Sequence, residues 1–190
     1  MGCDIHLYKE KKIGGDWVTA DEWQEDKYEE GRKEVPYEKR FTDRNYNLFG
    51  VLAGVRQEYP FSLTPRGLPF NMSPEVKADA EIWDADGHSH SYLSLSELKD
   101  LRSFLQKEKL RIEGMKDKDE LAALHATLAT ETPNYDLLYP YCKWGSSPSL
   151  VEFAVDIPGS YIVGGALDRI IESFDGVDGE DQRIVFWFDN

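Results

Sequence analysis

The closing run RIVFWFDN, residues 183–190, is apolar from Ile184 to Phe188 without alternation. That is the pattern of a buried-type strand rather than a strand with one wet face. At the opposite end, CDIHLYKE alternates strictly, with Cys3, Ile5 and Leu7 on one side and Asp4, His6 and Tyr8 on the other. This reads as a half-buried strand. Gly14-Gly15-Asp16 supplies a turn and WVTA returns, so residues 3 to 20 form a predicted hairpin. Strands at both ends with helical patterns between them predict an α+β fold with an antiparallel sheet in which the first and last strands are neighbours. Antiparallel pairing would bring Asp4 and His6 beside Asp189.

The segments between are read from their periodicity and punctuation. Residues 21 to 40 are charged and aperiodic, as in a solvated loop. Asn45 is placed to cap a helix starting near Tyr46, with Leu48, Phe49, Leu52 and Val55 on one stripe. Thr64-Pro65-Arg66-Gly67 has the residues of a type I turn presenting Arg66 at its tip. Ser73-Pro74 opens a helix through about Trp83. Ser94 and Glu97 make a capping box for a helix expected to run to about Arg111 and to be broken by Gly114, and Asp117 opens another through ELAALHATLA. These predict an antiparallel helical pair over about 94–130, inserted in one domain spanning 1–190. An aromatic, proline-rich connection follows, then SLVEFAVD, which is open between strand and helix turn, and a helix over 164–174.

Composition narrows the partners. The 36 acidic and 22 basic residues leave a formal charge of −14, which repels duplex nucleic acid, although a few focused arginines can still hold a small anion. Two cysteines, Cys3 and Cys142, give no disulfide framework and fit a reducing compartment. Neither a membrane-span-length apolar run nor a signal-peptide pattern is present, so the expected location is cytoplasmic with no membrane partner. Met1-Gly2-Cys3 hints at acylation, but His6 stands where that pattern requires Ser or Thr. Homo-oligomerisation is compatible with all of this.

The chemistry centres on histidines. Asp4-Ile5-His6 on a strand puts both side chains on one face, and His88-Ser89-His90 repeats the spacing in a polar stretch, DADGHSHSYLSL. Oxygen and imidazole donors together suit a divalent metal such as Zn²⁺, Mn²⁺ or Mg²⁺, held by Asp4, His6, His88 and His90 with Asp189 or Asp86 completing the sphere. Such an ion would polarise a phosphoryl oxygen and activate water, with His88, His6 and Asp4 the catalytic candidates. A wet strand and an Asp-Gly turn account for the same patterns without a metal. Arg44, just before a helix, and Arg66 are candidates for holding phosphate, and ion pairing with an acidic surface is the bland alternative. Ser89 and Ser91 add hydrogen-bonding groups beside the histidines. Tyr46, Tyr92 or Trp83 could stack on a base, though such aromatics also build cores. His125-Ala126-Thr127 is the H-x-T of two-histidine phosphoesterases, but it falls in mid-helix. Cys3 and Cys142 lack a basic context for a thiolate nucleophile.

MGCDIH, RNYNLFGVLAGVR, PRGLP, DGHSHSYLSLSEL and RIVFWFDN together resemble a family of small proteins encoded by bacteriophages and prophages. The resemblance covers both ends and the first half, leaving out residues 21–40 and 110–150, and Tyr92 stands where that family has tryptophan. It implies a phage accessory protein acting in the bacterial cytoplasm. By analogy, proteins of this size include antagonists of host nucleotide-signal defence. The leading expectation is therefore a metal-dependent phosphodiesterase acting on a small nucleotide ligand, cyclic forms included. The alternatives are a nucleotide-sequestering sponge, and an acidic inhibitor that covers a host target.

Overall fold

The structure is a computed structural model and describes residues 2–56, 60–83, 85–130, 150–161, 163, 165–175 and 179–189. The fold is α+β, as the terminal strands required, and it divides into two compact units: Met1–Arg102 with Gly165–Asn190, and Ser103–Gly164.

In the first unit, β1 (Asp4–Ile13) turns back through Gly14 and Gly15 into β2 (Asp16–Thr19). Both glycines have positive φ, which a hairpin of this kind requires. The two short strands β3 (Gln24–Glu25) and β4 (Lys33–Glu34) form a separate small ladder within the segment expected to be a loop. Next come α1 (Tyr46–Ala53), α2 (Pro74–Ile82) and β5 (His88–Ser94). The predicted cap is made, since Asn45 accepts from the Leu48 N–H at 3.0 Å. The capping box is also made: Ser94 Oγ accepts from Glu97 N–H at 3.1 Å, and Glu97 Oε2 accepts from Ser94 N–H at 2.8 Å. These bonds set the start of α3 (Leu95–Lys107).

The second unit corrects the helical pair expected over 94–130. The helix ends at Lys107, and Lys109–Asp117 is a strand, β6. After it come α4 (Lys118–Leu128) and the strand β7 (Leu150–Pro158). Leu110 and Ile112 alternate along β6, and their partners across the ladder are Ile157 and Val155. A nine-residue antiparallel pairing satisfies every alternate apolar residue at once, and a continued helix would not. Gly114 lies opposite Phe153, so it makes room for a ring rather than breaking a helix. Leu124 of α4 closes this small core with Phe153, Val155 and Ile157. Of SLVEFAVD, residues 150–156 thus resolve as strand because their pairing partner exists. The 131–149 connection and Cys142 lie outside the described residues.

The chain returns to the first unit through α5 (Ala166–Glu172) and ends in β8 (Gln182–Asp189). The main sheet has the order β2-β1-β8-β5, all neighbours antiparallel. Asp4 pairs with Asp189 and His6 with Trp187, so the terminal strands meet as predicted. The strand β8 is buried on both faces. Phe188 meets Phe49 of α1 at 5.0 Å on one side, while Val185 and Trp187 share a core with Tyr8, Val76, Ala80 and Val35 on the other. Burying each large ring of this kind contributes about 1.5–3 kcal/mol.

One charged pair is enclosed in this sheet. Glu10, fully buried, takes a 2.7 Å bond from Arg183, whose guanidinium also reaches Asn71 and lies 3.9 Å from the Trp17 ring. Glu10 accepts the Ser73 N–H as well, at 2.6 Å. Two strands, the loop before α2 and the hairpin return are therefore tied to one ion pair.

Candidate functional site

The strand β1 places Asp4 and His6 on one face by its two-residue period, and register with β8 puts Asp189 against both. His6 Nε2 lies 3.2 Å from Asp189 Oδ2, and the Asp4 N–H donates to Asp189 Oδ1 at 3.0 Å. One carboxylate thus holds the strand end and an imidazole. The His6 ring is clamped between two indoles, 4.2 Å from Trp83 and stacked at 5.6 Å, 7°, on Trp187. Asp4 turns its carboxylate outward to Arg44, which donates to both of its oxygens at 2.7 and 2.6 Å. That bidentate pair raises the proton affinity of the Arg44 guanidinium, chiefly through the hydrogen bonds.

These groups line one cleft of about 470 Å³, which runs along the outer edge of β1 and is walled by Tyr37, Arg40, Phe41, Thr42 and Trp83. The volume falls in the range of small-molecule sites. Its charged lining is two carboxylates, Asp4 and Asp189, against two guanidiniums, Arg40 and Arg44, so the cleft does not share the strong negative charge of the chain as a whole. Asp4, His6, Asp189 and Arg44 were expected at a common site from the sequence. Tyr37, Arg40, Phe41 and Thr42 were not, because 21–40 reads as a solvated loop and these residues continue it. The available signal was PYEKRF, in which apolar rings and basic residues interrupt an acidic stretch.

The His88-Ser89-His90 doublet is placed differently. His88 pairs with Phe188 and Ser91 with Phe186, so four residues of β5 span three of β8. This is a bulge, and Ser89 within it has φ of 53°. The extra residue reverses the alternation. His88 stacks toward Phe188 at 6.0 Å, whereas His90 stacks toward Trp187 at 6.0 Å on the other face. The expectation that both imidazoles converge on one point is therefore corrected. Gly87 permits the chain to close up here, since a Cβ on it would meet the Trp83 carbonyl at 2.8 Å and His90 Nε2 at 3.1 Å.

The opening strand and the doublet are also separated in the sheet, because β8 runs between β1 and β5. Among the described residues no group of three or more His, Cys, Asp or Glu is gathered in a way that could hold a metal ion. Asp4, His6, His88, His90 and Asp189 do not form one donor set. His6 and Asp189 are together, Asp4 is turned to Arg44, and the other two imidazoles lie across Trp187 and Phe188. Asp86 is exposed in the turn after α2, and Asp84 lies outside the described residues.

The remaining candidates have structural partners. Arg66 is not at a turn tip. Its loop lies along β5, with Arg66 N–H donating to Ser91 Oγ at 3.2 Å and Gly67 N–H to the His90 carbonyl at 2.9 Å, so Ser91 is buried under it. The Arg66 guanidinium forks onto Glu97, 3.2 Å from Oε2 and bonded also to Oε1. Tyr92 packs under Arg66 and Arg183 in the core beside α2, and Tyr46 packs on Phe49 beneath Arg56. None of Arg66, Ser89, Ser91, Tyr92 or Tyr46 lines the cleft. Trp83, also weighed for stacking, does. Cys3 has a basic neighbour that the sequence did not show, Arg56, yet burial outweighs it and pushes the thiol up, away from thiolate chemistry. His125 is exposed in the last turn of α4 rather than in mid-helix.

No protein-family model, curated protein or solved structure matches the chain. Among the described residues no helix is long and apolar enough to cross a membrane.

Proposed function

We propose that the chain binds a small nucleotide in the β1 cleft and holds it without metal-assisted turnover. The observation that carries this reading is the lining of one cavity by two guanidiniums, four aromatic side chains and a hydrogen-bonded histidine, within a chain otherwise strongly acidic. A guanidinium that grips Asp4 in a bidentate fork presents the geometry that phosphate also takes. An incoming phosphate replaces the Asp4 carboxylate on Arg44, and an aromatic wall receives the base. The resemblance to phage-encoded proteins supplies a setting in which the captured molecule is a host nucleotide signal.

Two substitutions separate this from a structural role of the pair. Asp4→Asn removes the competitor for Arg44 and is expected to tighten nucleotide binding several-fold, whereas Arg44→Ala is expected to weaken it at least tenfold. Calorimetric titration with 5′-mononucleotides, cyclic nucleotides and ADP-ribose-type nucleotides reads both. No binding by any of them removes the proposal.

A second reading, hydrolysis, is favoured by one contact. Asp189 beside His6 is the arrangement that orients an imidazole as a general acid–base. Ligand recovered after heating the complex distinguishes the two: intact nucleotide supports capture, and cleaved nucleotide whose formation stops in His6→Ala supports turnover. Metal content of the purified protein, measured in parallel, tests whether a divalent ion accompanies either activity.

A further inference from the structure

The strand β1 is ten residues long, but β2 pairs only with Glu10–Ile13. Lys9 is the last residue satisfied on that side: its C=O accepts from Ala20 N–H at 2.8 Å and its N–H donates to Asp21 Oδ2 at 2.6 Å. In an antiparallel strand successive residues turn their main-chain groups to opposite neighbours. Lys12 N–H donates to the Asp181 carbonyl on the far side, which fixes the parity. Ile5 and Leu7 therefore point N–H and C=O the same way as Lys9, out of the sheet and along the edge where β2 is missing. Both residues line the cleft. Among the described residues no hydrogen bond reaches these main-chain groups.

Main-chain donors and acceptors at a partly enclosed edge need partners, because an unpaired peptide group away from water is costly. A strand closing the sheet would supply them, yet the segment opposite, Tyr37 to Arg44, offers side chains and no ladder. The N–H and C=O of one extended residue make an adjacent donor–acceptor pair, which complements the adjacent acceptor and donor on the Watson–Crick edge of a nucleobase. The spacing agrees with the rest of the ligand. From Asp4, where Arg44 is held, to Leu7 is three residues of extended chain, about 10 Å. A span of that size separates the base edge of a nucleotide from its 5′-phosphate.

We infer that the open half-edge of β1 reads the ligand's base: Leu7 N–H and C=O hydrogen-bond the Watson–Crick edge of a 5′-mononucleotide unit whose phosphate sits on Arg44, with Ile5 beside the sugar. This rests on the nucleotide reading and adds to it the part of the molecule that is recognised and the main-chain groups that recognise it. Because these groups belong to the backbone, any residue except proline at position 7 preserves them. Recognition then follows from strand pairing alone.

The test uses the full chain, ¹⁵N-labelled, titrated with AMP, GMP, CMP and UMP. For whichever binds tightest, the comparison is its analogue methylated on the Watson–Crick edge, such as N6,N6-dimethyl-AMP or 1-methyl-GMP. The expected result is a downfield shift and slowed solvent exchange of the Leu7 amide at saturation, and at least tenfold weaker binding of the methylated analogue. Arg44→Ala should weaken binding while leaving the Leu7 shift at saturation in place. Binding that depends on Arg44 but leaves the Leu7 and Ile5 amides unmoved, with the methylated analogue bound equally well, overturns the base-edge inference alone. No binding by any of the four overturns the nucleotide reading, and the inference with it.

Discussion

The strands β1 and β5 flank the same strand, β8, and each brings histidine to it, yet one side is open and the other closed. On the β1 side the register runs unbroken from Asp4 to Lys11, so His6 lands on the face its spacing predicts and reaches Asp189. On the β5 side one extra residue at Ser89 divides His88 from His90, and the 65–67 loop covers the outer edge. Among the described residues no main-chain bonds cover the outer edge of β1 beyond Lys9, and there the cleft lies. The difference teaches that equal spacing in sequence means equal placement only where the ladder is continuous. A bulge costs one residue and redirects everything before it.

Breaking the frame under the open side should have the largest effect. Removing one member of the enclosed Glu10–Arg183 pair leaves the other charge buried, so Arg183→Met is expected to cost about 3–5 kcal/mol in urea unfolding. Adding Glu10→Leu should recover much of that loss but not all, because Ser73 N–H then loses its acceptor. A single substitution with no measurable cost would show that the pair does not hold β1 to β8.

The closed side should respond in the opposite direction. Ser89 adopts a left-handed backbone that glycine takes without penalty, so Ser89→Gly is expected to stabilise the chain by up to about 1 kcal/mol while leaving nucleotide binding in the β1 cleft unchanged. Loss of binding in this variant would tie the bulge to the site and erase the contrast between the two sides.

A smaller, pH-dependent effect belongs to the loop that closes β5. Partial burial opposes ionisation of Glu97, but hydrogen bonds from Arg66 and Ser94 outweigh it and hold its carboxyl below the usual range. A depressed folded-state value means that this stabilisation is present above the unfolded value of about 4.3 and is lost as pH falls through the folded one. Glu97→Gln should therefore flatten the acid limb of the stability curve slightly, and the effect should shrink with salt because both partners are part-exposed. An unchanged acid limb would leave the closure to the main-chain bonds alone.

Much of the architecture was legible because it depends on short-range pattern. The unbroken apolar run of Ile184–Phe188 and the alternation of Cys3–Tyr8 sufficed to make the two ends neighbours and to bring Asp189 to His6. Asn45 and Ser94 with Glu97 marked helix starts by capping, which is settled within a few residues, and Pro74 marked another by its place at the first helical position. The pair β6 and β7 was not legible, because LRIEGMK satisfies a helix or a strand until its distant partner is known. Arg66 was misjudged for a related reason: the groups that occupy it, Glu97 and the β5 edge, lie some thirty residues on.

What the residues alone carried was therefore the local chemistry: which segments extend or coil, which side of β1 is polar, and that Asp4, His6 and Asp189 share an end of the sheet. Tertiary structure decided the rest. It put β8 between the two histidine strands, set the bulge at Ser89, and left the edge of β1 uncovered beside Arg40 and Phe41. These are outcomes of register and strand order, which depend on summed pairing energies over the whole sheet, and no short window of sequence contains that sum.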